Sequence, residues 1–123
     1  MFFYGEIMFR KDVIYKICKK SEWEEAVAKG TYNGSSDDIR DGFIHFSAYD
    51  QVKGTLDKHF KDQKGLVLLK IAVERLPAEA LKWEKSRNGQ DFPHLYSNLD
   101  PGVVVVMEEL SDHGWCGFSK DDR

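Results

Sequence analysis

Short apolar runs alternate with polar stretches along most of the chain. Five of these runs, at residues 13–18, 42–47, 66–73, 80–84 and 103–107, are short and apolar, and most are rich in β-branched or aromatic residues, as strands are. The run at 66–73 is nearly continuous, which favours a central strand that is buried on both faces. The pattern therefore predicts five strands.

Two segments between the predicted strands have the spacing of amphipathic helices. The first is predicted to begin at Ser21, because Ser21 and Glu24 form a capping-box pattern, and to end at Gly30. The second is predicted to follow a cap at Ser47 and to bury a stripe of residues three and four apart. That stripe comprises Tyr49, Val52, Leu56 and Phe60. Residues 31–42 are predicted to form a long polar loop, of the kind that often carries function.

No internal repeat or Pro/Ser-rich linker divides the chain. We therefore expect one globular domain over residues 12–110, an N-terminal extension over 1–11 and a polar tail over 111–123. Residues 86–101 have little periodicity and predict no element. Two early helices followed by mostly strands predict an α+β domain around a mixed or antiparallel sheet.

Composition narrows the functional classes. The 123 residues are 41% hydrophobic, enough for one core, and no apolar run reaches the ~18–20 residues of a membrane-spanning helix. Eighteen basic and 21 acidic residues give a formal charge of −3, which argues against binding to duplex nucleic acid. Cys18 and Cys116 form no Cys-x-x-Cys motif, so we expect reduced thiols in a cytoplasmic protein.

The segment 41–47 is the first that concentrates chemically useful residues. His45 and Ser47 would project to the same face of a strand, since side chains alternate with period two. They would then lie near a helix N-terminus, where backbone amides favour anions. The alternative is a partly buried histidine beside an N-cap serine, with no role in binding.

Two later segments have a similar mixture of polar and aromatic residues. In 82–87, Glu84 beside Arg87 would suit a polar substrate, whereas the alternative is a solvated edge strand. In 92–96, His94 and Tyr96 stand among apolar groups, as in ligand pockets, and the alternative is an aromatic lid over the core. The histidines have no metal-ligand spacing, so no metal site is expected, and His59 is expected to be solvated.

These segments together resemble the bacterial family catalogued as domain of unknown function 952. The resemblance rests on three motifs in order, with support from residues 14–17 and Trp23, and it covers about residues 13–110. The motifs are 41–47 with Gln51, 81–84 with Ser86 and Arg87, and 92–96.

The resemblance implies an ADP-ribosyltransferase-like fold, a split and strongly bent sheet around a cleft that holds NAD in true transferases. The site of such enzymes is formed by three residues. They are a polar residue of the first strand, a hydroxyl or aromatic residue of the second strand before a helix, and a glutamate of a late strand. The positional counterparts here are Lys16, the His45/Ser47 pair and one of Glu84, Glu108 and Glu109. NAD is thus a cofactor suggested by fold analogy alone.

The resulting hypothesis is an enzyme with a polar cleft. Its candidate catalytic residues are His45, Glu84 and His94, and its candidate ligand-binding residues are Lys16, Ser47, Gln51, Ser86, Arg87 and Tyr96. The reaction would be ADP-ribosyl transfer, or a related glycosyl or phosphoryl transfer, on a small anionic, nucleotide-like ligand. The alternatives are a non-catalytic module that binds a small anion or a peptide, and an acid–base hydrolase unrelated to NAD. Because acidic residues gather at 37–41 and in the tail, we expect a locally cationic cleft.

Overall fold

The structure, a computed structural model, describes residues 12–110 and has an α+β fold with two three-stranded antiparallel sheets. The first sheet has the order β1-β3-β6, formed by Val13–Lys19, Leu66–Ala72 and Val104–Glu109. The second has the order β2-β5-β4, formed by Ile44–His45, Asp91–Leu95 and Leu81–Lys85. The expected extension and polar tail, including Cys116, lie outside the described residues.

The two sheets meet at one isolated bridge between β1 and the residues that follow β2. Tyr15 and Ser47 exchange two backbone hydrogen bonds of 2.8 Å each. The bridge brings the edge of the first sheet to the segment that carries His45. The segment around Lys16 in the first sheet therefore lies next to the segment around His45 in the second.

Three α-helices lie in the first half of the described chain, where the sequence predicted two. They are α1 (Lys20–Lys29), α2 (Ser36–Asp41) and α3 (Val52–His59). Gly30 ends α1 in the left-handed conformation with φ 82°, which confirms the predicted stop. Within residues 12–110, no helix is long and apolar enough to cross a membrane.

The predicted start of α1 at Ser21 is wrong. β1 pairs with β3 through Lys19, and the next amide, that of Lys20, donates to the carbonyl of Gly65, so the helix begins without a loop. The side chain of Glu22 accepts a hydrogen bond of 3.4 Å from the Lys19 amide. Because β1 extends to Lys19 and α1 begins at Lys20, Ser21 lies inside the first turn of α1 and is not its N-cap.

The predicted loop at 31–42 and the predicted cap at Ser47 are also corrected. The loop contains α2, which begins with its own capping box at Ser35. Ser47 is held in the bridge, and the chain then makes a 3-10 turn at Tyr49–Gln51 before α3. Ala48, rather than Ser47, is the N-cap of this turn, and the side chain of Gln51 accepts a hydrogen bond of 2.9 Å from the Ala48 amide.

The hydrophobic stripe of α3 is confirmed at Val52, Leu56 and Phe60, which pack against the first sheet. Tyr49 does not belong to this stripe, because the 3-10 turn changes the helical register before α3 begins. Its side chain is 48% exposed and makes an edge contact with the ring of Tyr15.

β3 is the central strand of its sheet, as predicted, but β5 was missed in the segment 86–101. It is the central strand of the second sheet and contains Pro93, a residue rare at such positions because it cannot donate to the ladder. The Pro93 carbonyl still accepts from the amide of Phe46, at 2.9 Å. A buried strand with a proline and a histidine has no hydrophobic alternation to detect.

The strands β1 and β3 of the first sheet are covered on both faces, which explains their continuous apolar runs. On one face, Ile14, Cys18 and Leu69 pack with Trp23 of α1 and with Leu95 of the second sheet. The other face packs against α3. Burial raises the pKa of the Cys18 thiol to about 12, so this cysteine stays protonated.

Leu69→Ala is expected to lower the free energy of unfolding by about 2–5 kcal/mol, because Leu69 is fully buried in the central strand. Val105→Ala, on the edge strand β6 and 42% exposed, is the control, with an expected loss below about 1 kcal/mol. Urea denaturation of both variants measures the difference. Equal losses would contradict this assignment of the core.

Candidate functional site

A cavity of about 290 Å³ lies where β1 and α2 face the second sheet and α3. Its walls come from five elements and from the turn after β4, so its residues are distant in sequence. They are Tyr15, Lys16, Ile17, Ser35, Asp37, Asp38, Arg40, Asp41, His45, Phe46, Ser47, Thr55, His59, Phe60, Ser86, Arg87, Phe92 and His94. This volume is near the lower end of the ~300–1,000 Å³ found for small-molecule pockets.

The carboxylate of Asp38 is buried at the centre of one wall, with 2% of the residue exposed. Its Oδ2 accepts hydrogen bonds from Lys16 Nζ at 2.7 Å and from the Ser35 amide at 2.9 Å. Its Oδ1 accepts from His45 Nδ1 at 2.6 Å and from the His45 amide at 3.1 Å. Four donors therefore converge on this one carboxylate.

The pKa of Asp38 lies well below its ordinary value. Burial alone would raise this pKa, but the hydrogen bond from His45 and the charge of Lys16 outweigh the loss of hydration. The ionised carboxylate is thus the stable form, and it in turn satisfies the buried ammonium of Lys16, which is 5% exposed.

The local sequence places Asp38 here through a tight turn. Gly34 has φ +103°, and a Cβ atom at this position would lie 2.5 Å from the Cβ of Asp38. Ser35 and Asp38 then form the capping box that starts α2, with each side chain bonded to the backbone of the other residue. A glycine and a capping box therefore position the one buried residue of α2.

His45 lies between two carboxylates of α2. Besides the Nδ1 contact with Asp38, its Nε2 lies 3.0 Å from Asp41 Oδ2. Since a carboxylate can only accept, both contacts are hydrogen bonds together only when both ring nitrogens carry a hydrogen. The two carboxylates thus flank the ring of His45 at both of its nitrogens.

His94 is oriented by Glu84 on the neighbouring strand. Glu84 Oε1 accepts from His94 Nδ1 at 2.8 Å and from the Tyr96 hydroxyl at 2.7 Å. The hydrogen bond from Tyr96, followed by that from His94, lowers the pKa of Glu84, and the same contact raises the pKa of Tyr96. The three side chains extend from β4, β5 and the residue that follows β5.

The ring of Phe43 holds the two histidines next to each other. It stacks on His94 with centroids 4.1 Å apart and lies 4.5 Å from His45 and 5.1 Å from Tyr96. The two imidazole rings themselves are 5.5 Å apart, edge to face. The Asp38 and Glu84 networks are thus adjacent across one aromatic ring.

Arg87 lies on another part of the cavity wall. Its Nη2 donates to Thr55 Oγ1 at 3.2 Å, and its guanidinium lies 4.8 Å from the ring centroid of Phe92. Thr55 Oγ1 also shares a hydrogen bond of 2.9 Å with Ser47 Oγ. Two hydroxyls and a guanidinium therefore form a short polar chain along the cavity.

Six of the nine residues singled out in the sequence line the cavity, namely Lys16, His45, Ser47, Ser86, Arg87 and His94. Glu84 and Tyr96 do not line it and reach it only through His94. Gln51 is buried, and its side chain links the Ala48 amide to the Asp91 carbonyl. Of the other acids considered, Glu109 pairs with Lys20 at 3.1 Å, and Glu108 precedes it on β6, outside the cavity lining.

The expectation of a cationic cleft is wrong for the described residues. The acidic segment 37–41 folds as α2 and forms part of the wall, so three aspartates face the cavity together with Lys16, Arg40 and Arg87. Lys16 and Arg40 are paired with these aspartates. His59, exposed as expected, also lines the cavity.

Sequence reasoning missed Asp38, Thr55 and Phe43 as members of the site. The Ser35-x-x-Asp38 capping pattern after Gly34 was a usable signal for the start of α2. No spacing rule indicates that Asp38 meets Lys16, 22 residues away. Within residues 12–110, no group of three His, Cys, Asp or Glu side chains is arranged to hold a metal ion.

A family model described as Protein of unknown function (DUF952) matches residues 17–107, which include nearly all of this cavity. The chain belongs to the DUF952 family. The resemblance noted in the three sequence motifs is thereby confirmed.

Solved structures share the fold of this DUF952 chain. The crystal structure of protein CC0527 from Caulobacter crescentus is 46% identical in sequence, with a TM-score of 0.77, over 80% of this chain and 86% of that one. The solution NMR structure of the same protein is also 46% identical, with a TM-score of 0.73, over 81% and 85% of the two chains. No curated protein matches the sequence.

Asp38→Asn is expected to lower the free energy of unfolding of the DUF952 domain by about 3–5 kcal/mol, because it leaves the buried ammonium of Lys16 without a counter-charge. The matched control is Asp37→Asn, one residue earlier and exposed, with an expected change within about 1 kcal/mol. Chemical denaturation at neutral pH measures both. A similar decrease in the free energy of unfolding in the two variants would show that the buried Lys16–Asp38 pair stabilises the fold no more than an exposed pair does.

Stability is also expected to fall at acidic pH. The pKa of Asp38 is lower in the folded chain than in the unfolded chain, where an aspartate titrates near ~3.9. The stabilisation is therefore present above that value and is lost as the pH falls through the folded pKa. Denaturation below about pH 5 should show a steeper loss for wild type than for Asp38→Asn, and parallel curves would contradict the assignment.

Proposed function

We propose that the cavity is the active site of an acid–base enzyme that acts on a small anionic, nucleotide-like ligand by group transfer or hydrolysis. His94 is the group that moves the proton, Glu84 orients it, and Arg87 binds the anion. The Glu84–His94 contact of 2.8 Å on the cavity wall is the observation that carries this proposal.

His94 has one ring nitrogen held and one available. Glu84 accepts at Nδ1, whereas Nε2 has no hydrogen-bond partner among residues 12–110. A carboxylate at Nδ1 selects the tautomer in which Nε2 carries the lone pair. Since His94 lines the cavity and Glu84 does not, Nε2 is available to a ligand as a proton acceptor.

His45 does not have this freedom. Both of its ring nitrogens contact carboxylates, and its amide also donates to Asp38. The ring of His45 is therefore held in place by α2 beside His94, with the two ring centroids 5.5 Å apart. Of the two histidines, His94 is therefore the better candidate for proton transfer, and His45 is part of the cavity wall.

The geometry favours proton transfer over direct stabilisation of a glycosyl cation by Glu84. Both hydrogen bonds to Glu84 use Oε1, and its side chain lies outside the cavity lining. Glycosyl transfer from a donor of about mononucleotide size remains within the proposal, with His94 acting on the nucleophile. In phosphoryl transfer or hydrolysis, Nε2 of His94 would likewise accept the proton of the nucleophile.

The residues do not fit a whole dinucleotide such as NAD. A cavity of about 290 Å³ is at the small end for pockets, and among the described residues Arg87 is the one lining Lys or Arg without a carboxylate partner. A pyrophosphate flanked by two nucleosides would need more room and more positive charge. A ligand of mononucleotide size or smaller agrees better with these walls.

A second candidate function is binding without catalysis. It is supported by the number of polar groups that already satisfy one another, since Lys16, His45 and Gln51 have full sets of partners in the fold. In that case Arg87 and the hydroxyls near it would hold a ligand, and His94 would contribute affinity alone.

His94→Gln is expected to lower kcat at least about 100-fold with a small change in KM, since proton transfer typically contributes that much. Glu84→Gln should lower kcat by about 10–100-fold, because the orienting carboxylate is lost. The assay measures conversion of nucleoside monophosphates, ADP-ribose and NAD by mass spectrometry. Glu79→Gln, on an exposed turn, is the control and should retain wild-type rates.

Two results would contradict the enzyme proposal. The first is a kcat in His94→Gln equal to that of wild type. The second is calorimetric binding of one of these compounds without any conversion, which would support the binding module instead.

A further inference from the structure

We propose that the anionic group recognised in this cavity is a terminal phosphate, held in a subsite formed by Arg87, Thr55 and His59. This inference rests on the proposed function only in taking the ligand to be anionic. It adds which anionic group is bound and which residues bind it. The subsite is separate from the proton-transferring nitrogen of His94.

Arg87 is distinguished by its missing counter-charge. Three Lys or Arg side chains line the cavity, and two of them are paired, Lys16 with Asp38 and Arg40 with Asp37 and Asp41. In the part of the chain that the structure describes, no carboxylate lies within ion-pair distance of Arg87, although its side chain is half-buried. A half-buried guanidinium without a carboxylate is a natural partner for a ligand anion.

The groups around Arg87 favour a tetrahedral anion over a planar one. Thr55 Oγ1 shares hydrogen bonds with Arg87 and Ser47, and Phe92 covers one face of the guanidinium. The guanidinium of Arg87 has further N–H groups besides the one bonded to Thr55, and the Thr55 hydroxyl keeps its hydrogen for a ligand when Ser47 is the donor of their shared bond. A phosphate has three terminal oxygens to accept them, whereas a carboxylate offers two in one plane.

His59 is a second group of the cavity wall, and a bound anion would favour its charged form. It ends α3, is exposed and lines the cavity. Partial burial lowers its pKa, the charges of Arg87, Lys58 and His45 lower it further, and Asp37 opposes them. The negative charge of a phosphate between His59 and Arg87 would raise the pKa of His59 and so favour its charged imidazole.

Gly54 provides the space that Arg87 occupies. A Cβ atom at this position would lie 3.3 Å from Arg87 Nη2, closer than an ordinary contact. Glycine is unfavourable inside a helix, so its presence in α3 needs a local reason, and the passage of the guanidinium over the helix supplies one. Gly54→Ala should shift the guanidinium of Arg87 slightly and still fold, because alanine favours the helix.

The test uses inorganic phosphate as the probe and the complete chain as the protein. Calorimetry should show phosphate binding that acetate at the same ionic strength does not reproduce, and NMR titration should show phosphate raising the pKa of His59. Arg87→Gln should weaken phosphate binding at least tenfold, and Gly54→Ala should weaken it to a smaller extent. Glu79→Gln, on an exposed turn outside the cavity lining, is the control and should bind phosphate like wild type.

Three results would overturn the subsite. They are acetate binding as tightly as phosphate, unchanged phosphate affinity in a folded Arg87→Gln, and a pKa of His59 that phosphate does not move. If Arg87→Gln does not fold, Thr55→Val decides between the outcomes: it removes the hydroxyl placed in the subsite, so unchanged phosphate affinity in this variant contradicts the proposal. The two proposals can fail separately. Turnover of the His94 variant tests the enzyme proposal, whereas the phosphate affinity of the Arg87 variant tests the subsite.

Discussion

The buried carboxylate of Asp38 is the interaction on which the cavity depends. A charge at 2% exposure is stable only where donors replace its hydration, and here Lys16, Ser35 and His45 provide them. These donors come from three separate parts of the chain. One carboxylate therefore ties α2 to the first sheet and to the strand that carries His45.

This arrangement divides the polar residues of the site into two groups. Lys16 and His45 complete the Asp38 network and shape the wall, whereas His94 and Arg87 keep hydrogen-bonding capacity on the cavity side. Phe43 places the first group against the second through contacts with both histidine rings. The balanced charge of the lining follows from the same division, since the aspartates of α2 neutralise the lysine and arginine beside them.

The sequence predicted most of the strands because they are buried on one or both faces and rich in aliphatic residues, β3 above all. It also indicated that the segments around His45, Arg87 and His94 form one site. It missed β5, where Pro93 and His94 interrupt any alternation, and α2, whose one buried side chain is the charged Asp38. Hydrophobic periodicity detects elements that bury an apolar face. It therefore does not detect an element that is held by ion pairs or interrupted by a proline.

The central claim is that each histidine is oriented by a carboxylate at Nδ1, which leaves Nε2 of His94 as the available nitrogen. Nitrogen-15 NMR of the imidazole rings tests this most directly, at a pH above the titration of His94. The account predicts a hydrogen on Nδ1 of both His45 and His94, and none on Nε2 of His94. A hydrogen on Nε2 of His94, with Nδ1 bare, would contradict it.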